Sequence, residues 1–151
     1  MNTVVVKIEE NQINGNRINE SQINQNQIND NLRVHESLYQ AARILKDGGM
    51  VAFPTETVYG LGADALQETA AKQIYAAKGR PSDNPLIVHI SSFSQWEPLV
   101  TEIPDSAKAL ADAFWPGPLT IILPKSDLVP EEVSGGLNTV AVRMPENEIA
   151  R

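Results

Sequence analysis

The stretch Met50-Val-Ala-Phe-Pro-Thr-Glu-Thr-Val-Tyr-Gly-Leu-Gly62 joins a short apolar run to a loop of small polar residues and glycines. The apolar run and the proline that ends it, Pro54, predict a short, fully apolar strand over residues 50–53. Ligands of α/β proteins bind in the loops that leave the carboxyl ends of strands. The sequence therefore places a candidate ligand loop at residues 55–62.

This loop offers the side chains of Thr55, Glu56, Thr57 and Tyr59 for hydrogen bonding. Its glycines permit positive φ angles or a close approach of the backbone to a ligand. The alternative is a tight connection from strand to helix in which the threonines cap the helix.

Strands and helices alternate on both sides of this loop. Apolar residues at helical spacing predict a helix from His35 that ends at Gly48-Gly49, and further helices over 68–77 and 105–114. Apolar runs predict strands over 85–90, 119–123 and 139–143. This order predicts an α/β domain with a mixed or largely parallel sheet.

The N-terminal segment has a different composition. Residues 3–8 are rich in β-branched side chains and predict a strand, whereas residues 11–31 are rich in Asn and Gln. Isoleucine recurs there every five residues, as in a pentapeptide solenoid, but four repeats give about one coil. We expect residues 11–31 to be a disordered, low-complexity insertion in a single domain of residues 1–151.

Composition excludes several classes of site. The 151 residues carry a formal charge of −7, and they include no cysteine and two histidines. Disulfides, thiolate nucleophiles and cysteine-based zinc sites are therefore excluded, and we expect no dedicated metal site. The apolar runs are far shorter than the roughly 20 residues that span a bilayer, so we expect a cytoplasmic protein without membrane contact.

A cationic segment, Lys78-Gly-Arg-Pro-Ser-Asp-Asn-Pro85, follows the second predicted helix. Two cations on a proline-stiffened segment are suited to hold phosphate or carboxylate. In the alternative interpretation, Lys78 and Arg80 only complement the negative end of the helix dipole.

Two further polar residues occur in predicted strands. His89 lies on the face opposite Leu86, Val88 and Ile90, where it is either a partly buried structural residue or a ligand. Arg143 ends the last strand, either at the surface or as a fork for a carboxylate in a cleft. The turn at Trp115-Pro-Gly-Pro118 is explained by structure alone.

Four motifs together resemble the YrdC-like L-threonylcarbamoyladenylate synthase family. They are Pro54-Thr-Glu-Thr-Val-Tyr-Gly-Leu-Gly62, Lys78-Gly-Arg-Pro-Ser-Asp-Asn-Pro-Leu86 with His89, Trp115-Pro-Gly-Pro-Leu-Thr120, and Val140-Ala-Val-Arg-Met-Pro145. The resemblance is close over residues 35–151, and it implies a twisted mixed α/β sheet with a concave ligand-binding face.

The resemblance also implies an activity. Members of the family condense L-threonine, bicarbonate and ATP into threonylcarbamoyl-AMP and pyrophosphate, and Mg²⁺ arrives with the ATP. A partner complex then transfers the threonylcarbamoyl group to tRNA. By resemblance, L-threonine is held by Thr57, His89 and Arg143. The nucleotide and its phosphates face Lys78, Arg80, Asn84 and Thr139, and Lys78 and Arg80 act in catalysis.

Two departures from the family pattern limit this expectation. The family continues into a helix and a Ser-Ala-Asn segment, which is not present in these 151 residues, so we expect a fold that is incomplete at the C-terminus. The family also has a His near Glu146-Asn-Glu148. We therefore expect an N-terminal part of a synthase that binds weakly or is inactive alone.

Three other functions remain as alternatives. Relatives of this fold have been thought to bind double-stranded RNA, but the acidic balance disfavours this function because phosphate neutralisation requires many Lys and Arg. A carbamoyl-adenylate domain of the hydrogenase-maturation type is disfavoured by the lack of cysteine. The third alternative is a non-catalytic fragment.

Overall fold

The computed structural model describes the backbone of residues 25–151 and the side chains from Val34 onward. The chain divides into two compact units, Met1–Arg43 and Ile44–Arg151. The strand predicted over residues 3–8 and most of the Asn-rich segment, residues 11–24, lie outside the described residues.

The first helix, α1, is longer than predicted. It spans Gln25–Lys46 and so begins within the segment predicted to be disordered rather than at His35. Ile28 of the last five-residue repeat therefore lies in a helix and not in a solenoid coil. Once a turn exists, each further residue adds one hydrogen bond, so Gln and Arg, both good helix formers, extend the helix. Gly48, with φ of 81°, follows its end as predicted.

The remaining elements all lie in the second unit. In chain order they are β1 Val51–Phe53, β2 Gly60–Gly62, α2 Glu68–Lys78, β3 Ile87–His89, α3 Asp105–Phe114, β4 Ile121–Pro124, α4 Glu131–Ser134 and β5 Thr139–Arg143. Two short 3₁₀ turns, Phe93–Gln95 and Glu97–Leu99, connect β3 to α3. No described helix has the length and apolar character needed to cross a membrane.

The strands form two sheets. β1 and β2 pair antiparallel, and the second sheet has the order β3, β5, β4. Within it, β3 runs parallel to β5 and β4 runs antiparallel to it. The prediction of a mixed α/β arrangement is therefore confirmed.

One face of the three-stranded sheet forms the core. Val140 and Val142 of β5 are buried, and they alternate with partly exposed neighbours as a strand with one buried face requires. The same hydrophobic cluster includes Ala107 and Ala111 of α3 and the ring of Trp115. The opposite face carries Thr139, Ala141 and Arg143, which are all partly exposed.

Two elements were missed by the sequence prediction. Gly60–Gly62, predicted as loop, forms β2 because its backbone pairs with Val51–Phe53. The short helix α4 was also missed. Glycine at position 62 leaves room for the Phe53 ring, because a Cβ there would lie 2.5 Å from Cε1 of Phe53. Neither Gly60 nor Gly62 has a positive φ.

Candidate active site

Arg143 is the last residue of β5, and it pairs in parallel register with His89, the last residue of β3. The two side chains therefore lie on the same face at the carboxyl edge of the sheet. Parallel strands place ligands at this edge. The loop after β1 contributes the third part of this site through Glu56 and Thr57.

The Arg143 guanidinium is held from three directions. Its Nε donates to the backbone oxygen of Gly117 at 3.3 Å. Its Nη2 donates to Oε1 of Glu56, and also to Oγ1 of Thr57 at 3.3 Å. The Arg143 side chain is only 12% exposed, so these contacts hold a largely buried cation.

The Glu56 carboxylate connects two distant parts of the unit. One oxygen accepts from Arg143, and the other accepts from the backbone N–H of Glu146 at 3.1 Å. Burial raises the pKa of Glu56, but hydrogen bonds from its own backbone, from Arg143 and from Glu146 lower it by more, so the pKa lies below its ordinary value of 4.5. Glu56 is therefore an anion at neutral pH.

A threonine turn orders the loop after β1. Oγ1 of Thr55 accepts from the backbone N–H groups of Thr57 and Val58 at 3.2 Å, and its proton goes to the oxygen of Val58 at 2.7 Å. In the 3.1 Å contact between the two threonine hydroxyls, Thr57 is then the donor. The loop threonines thus form a turn, and the capping alternative is wrong because α2 has no side-chain cap.

The turn after α3 is part of the site as well. The N–H of Gly117 donates to the oxygen of Met144 at 2.8 Å, and its oxygen accepts from Arg143. A Cβ at this position would lie 2.4 Å from the oxygen of Phe114. Glycine is therefore required sterically, and the turn supports Arg143 in addition to its structural role.

His89 lies beside this cluster and contacts the ring of Phe53 edge-on, with centroids 5.7 Å apart. Burial lowers the pKa of His89, and the nearby Arg143 cation lowers it further, against a smaller opposite effect of Glu56. His89 is therefore a neutral imidazole at pH 7, with one nitrogen that donates and one that accepts.

The cationic segment is arranged differently. Lys78 is the last residue of α2, and Gly79 ends the helix with φ of 59°. The side chains of Lys78, Arg80 and Asn84 are exposed, and within the described residues they form no hydrogen bond or ion pair. They lie in one short segment of the chain, but no hydrogen bond joins their side chains to one another.

The backbone beneath this segment is fixed. The Tyr75 hydroxyl lies 2.8 Å from the oxygen of Asn84 and 3.0 Å from that of Glu132, and it shares its proton between them. The N–H of Leu86 donates to the oxygen of Val133 at 2.9 Å. Gly135 has φ of 60°, and a Cβ there would lie 3.0 Å from the oxygen of Asp83. Helix α4 and its terminal glycine thus support the loop.

Thr139, the fourth residue assigned to the nucleotide by resemblance, lies at the opposite end of β5 from Arg143. It pairs with Pro124 of β4, and no hydrogen bond of its side chain joins it to the cationic segment in the part of the chain that the structure describes. In that same part, no group of three His, Asp or Glu side chains is placed to hold a metal ion.

The structure thus brings Thr57, His89 and Arg143 together. Among the described residues, no hydrogen bond of their side chains joins the four residues assigned to the nucleotide, which are Lys78, Arg80, Asn84 and Thr139. Sequence reasoning offered Glu56 as a hydrogen-bonding side chain of the candidate ligand loop but did not predict its partner, and it assigned no role in the site to Gly117 or Glu146. The contact of Glu56 with Arg143 spans 87 positions, which no local pattern reveals.

Comparison with known proteins is consistent with this geometry. A family model for Sua5, YciO and YrdC, described as "Telomere recombination", matches residues 43–151. Threonylcarbamoyl-AMP synthase of Pyrococcus abyssi is 64% identical over 73% of this chain and 32% of its own length. The synthase of Pseudomonas putida KT2440 is 38% identical over 74% of this chain and 60% of its own length.

Solved structures give the same result. Pyrococcus abyssi Sua5 complexed with L-threonine is 62% identical, with a TM-score of 0.75 over 76% of this chain and 34% of its own. Escherichia coli YciO is 25% identical, with a TM-score of 0.67 over 76% of this chain and 56% of its own. The chain thus spans about a third to three fifths of the length of these relatives. It belongs to the Sua5/YciO/YrdC family.

Proposed function

We propose that this chain acts in the synthesis of threonylcarbamoyl-AMP from L-threonine, bicarbonate and ATP. The observation that carries the proposal is the Arg143 guanidinium, held by Glu56, Thr57 and Gly117 at the carboxyl edge of the sheet. A fixed and mostly buried cation at this edge is suited to a small ligand with a carboxylate. The synthase names of the relatives at 64% and 38% identity support the same reaction.

L-Threonine would occupy the end of the site formed by Arg143, Thr57 and His89. Its carboxylate would pair with Arg143. Its hydroxyl would donate a hydrogen bond to the hydroxyl oxygen of Thr57, or would form one with a ring nitrogen of neutral His89. The complex of the 62% identical Pyrococcus protein with L-threonine supports this substrate.

ATP would occupy the cationic segment. Lys78 and Arg80 are exposed cations without internal partners among the described residues, so they are available to phosphate oxygens. Asn84 and Thr139 would provide further hydrogen bonds. Mg²⁺ would arrive with ATP and be held mainly by its phosphates, because the Glu56 carboxylate is already engaged by Arg143 and Glu146.

The proposed reaction consists of two bond-forming steps. The amine of L-threonine attacks bicarbonate, a C–N bond forms and water leaves, which gives a carbamate. A carbamate oxygen then attacks the α-phosphorus of ATP, and the bond to pyrophosphate breaks. Lys78 and Arg80 would stabilise the charge that develops on the transferring phosphoryl oxygens.

The product would pass to a tRNA-modifying transferase complex in the cytoplasm. Such a mixed carboxylic-phosphoric anhydride hydrolyses readily, so a downstream acceptor must consume it. Double-stranded RNA binding is disfavoured by the charge of −7. A gel shift with a steep salt dependence would favour that alternative.

The proposal is tested by isothermal titration of the chain with L-threonine, with and without MgATP and bicarbonate. L-Valine serves as the control ligand, because it has a methyl group of similar size in place of the hydroxyl of L-threonine. We expect binding of L-threonine that is tighter than that of L-valine by about tenfold or more, since a site built to bond a hydroxyl rejects the analogue that lacks it. A chain that is folded by circular dichroism and binds neither amino acid would contradict the proposal.

A further inference from the structure

We propose that Glu56 is a positioning residue for ligand binding, which holds the Arg143 guanidinium so that its Nη1 nitrogen is the one that meets the ligand carboxylate. The inference rests on the proposed function, because it takes the ligand of Arg143 to be an α-amino acid. It gives a partner and a specific role to a side chain that the sequence offered only as a hydrogen-bonding group of the loop.

The hydrogen bonds of Arg143 lead to this assignment. Nε donates to Gly117, and the two N–H groups of Nη2 go to Glu56 and Thr57. Within the described residues, Nη1 has no acceptor. A fork in which a ligand carboxylate takes two guanidinium nitrogens would therefore require the loss of one existing bond. The held geometry favours a carboxylate on Nη1 alone.

The attachment of Glu56 is rigid on both sides. Its second oxygen accepts from the backbone N–H of Glu146, so the carboxylate is not free to swing away with Arg143. The side chains of Glu56 and Arg143 are 17% and 12% exposed. Glu56 therefore connects the loop after β1 to the segment after β5, and Arg143 is held between these two parts.

Removal of the Glu56 charge has two opposite effects on an anionic ligand. The long Arg143 side chain loses its fixed orientation, which weakens binding because the ligand must then order it. The site also gains net positive charge, which strengthens binding. We expect the loss of orientation to dominate, because the single amide oxygen of Gln can accept from Arg143 or from the N–H of Glu146 but not from both, and its amide nitrogen faces the other donor.

The test compares Glu56→Gln with the control Glu68→Gln by titration with L-threonine and with L-threoninol, which lacks the carboxylate. Glu68 also pairs with a cation, Lys72, but on the surface of α2, with the Glu68 side chain 56% exposed. We expect Glu56→Gln to weaken L-threonine binding on the order of tenfold, as loss of one charge-assisted hydrogen bond does. L-Threoninol binding should not change, and Glu68→Gln should bind both ligands like the original chain.

Two results would overturn the inference. Equal or tighter binding of L-threonine by Glu56→Gln would mean that Glu56 competes with the ligand for Arg143. An equal loss for L-threonine and L-threoninol would mean that Glu56 only supports the fold.

A measurement without ligand separates this inference from the proposed function. Solvent exchange of the Arg143 Nε–H, followed by NMR, should be slow in the original chain and faster in Glu56→Asp, whose side chain is one carbon shorter. An unchanged rate overturns the positioning role. If the original chain binds no L-threonine, the proposed function fails, and the exchange rates still decide whether Glu56 holds Arg143.

Discussion

The two proposed ligand regions of the second unit differ in how their side chains are held. Arg143 has bonds to Gly117, Glu56 and Thr57 before any ligand is present. Lys78 and Arg80 are exposed and make none within the described residues. The amino acid region is thus formed in advance by its side chains, whereas in the cationic segment only the backbone is fixed.

This difference predicts different costs of binding. A ligand at Arg143 meets a cation whose orientation is already set, so little side-chain entropy is lost on binding. A ligand at Lys78 and Arg80 must order two long side chains, each with about 2 kcal/mol of rotamer entropy. Substitutions in the two regions should therefore affect different ligands and by different amounts.

The largest effect is expected for Arg143→Ala. Because this change removes the cation and leaves the Glu56 carboxylate without its partner, we expect L-threonine affinity to fall by roughly a hundredfold. ATP affinity should stay the same. Isothermal titration measures both, and Arg43→Ala, at an exposed residue of α1, is the control. A parallel loss of both affinities would mean that the two regions are not separate.

The sequence predicted the fold well where the pattern is local. Helix α3 and strand β5 have the predicted bounds, because an Ala-rich helical face and a Val-rich alternation each fix one structure. β2 was missed because its residues, Gly60–Gly62, have low strand propensity and depend on pairing with β1. The start of α1 at Gln25 was missed because the Asn-rich composition hid its helix formers.

The site was predicted in part. Residues Thr57, His89 and Arg143 were candidates from the sequence pattern, and the resemblance assigned them to L-threonine; the structure places them together, and their roles stay predictions. The supporting residues Glu56 and Gly117 depend on contacts across the fold. The Gly117 oxygen, for example, meets Arg143 from 26 positions away. Contacts between residues so far apart in the sequence do not appear in local motifs. Motifs therefore identify the residues that bind a ligand more readily than the residues that hold those side chains in place.

The next largest effect is expected for Arg80→Ala in the cationic segment. Removal of one exposed phosphate contact should weaken ATP binding by about tenfold and leave L-threonine binding unchanged. Lys108→Ala is the matched control, since Lys108 is also an exposed cation, 3.8 Å from Asp105. Unchanged ATP affinity in Arg80→Ala would place the phosphates elsewhere, and it would favour the interpretation that Lys78 and Arg80 only complement the helix dipole.

A smaller effect is expected for Tyr75→Phe, which removes the hydroxyl beneath the cationic segment. Burial raises the pKa of Tyr75, as does the Asp83 charge, so the hydroxyl keeps its proton as a donor. Loss of the bond to the Asn84 oxygen should lower the free energy of unfolding by about 1 kcal/mol. ATP affinity should fall a few fold.

Tyr39→Phe, at a side chain of α1 that is 77% exposed, is the control for this substitution. Thermal unfolding and titration measure the two effects. If Tyr75→Phe and Tyr39→Phe behave alike, the segment does not depend on the Tyr75 hydroxyl.

The smallest effect is a pH dependence of stability from His89. Because burial and the Arg143 charge lower its pKa below 6.5, the folded chain binds fewer protons than the unfolded chain. Its contribution to stability is therefore full above pH 6.5 and decreases as the pH falls through 6.5 towards the folded pKa. Urea unfolding at pH 7.5 and 5.5 should show this decrease in the original chain and less of it in His89→Gln.

The control for this pH dependence is His35→Gln, at an exposed residue of α1. It should keep the decrease seen in the original chain. An equal decrease in all three proteins would mean that His89 is not the source.

The most direct test of the central claim is an NMR titration of the isotope-labelled chain with L-threonine, following the Arg143 Nε–H and the backbone amides. We expect the Arg143 signal and the amides of Thr57 and Glu146 to shift, while the amides of residues 78–80 and 82–84 do not. Shifts confined to residues 78–84, or no shift at all in the folded chain, would contradict the claim that the amino acid region is formed in advance around Arg143.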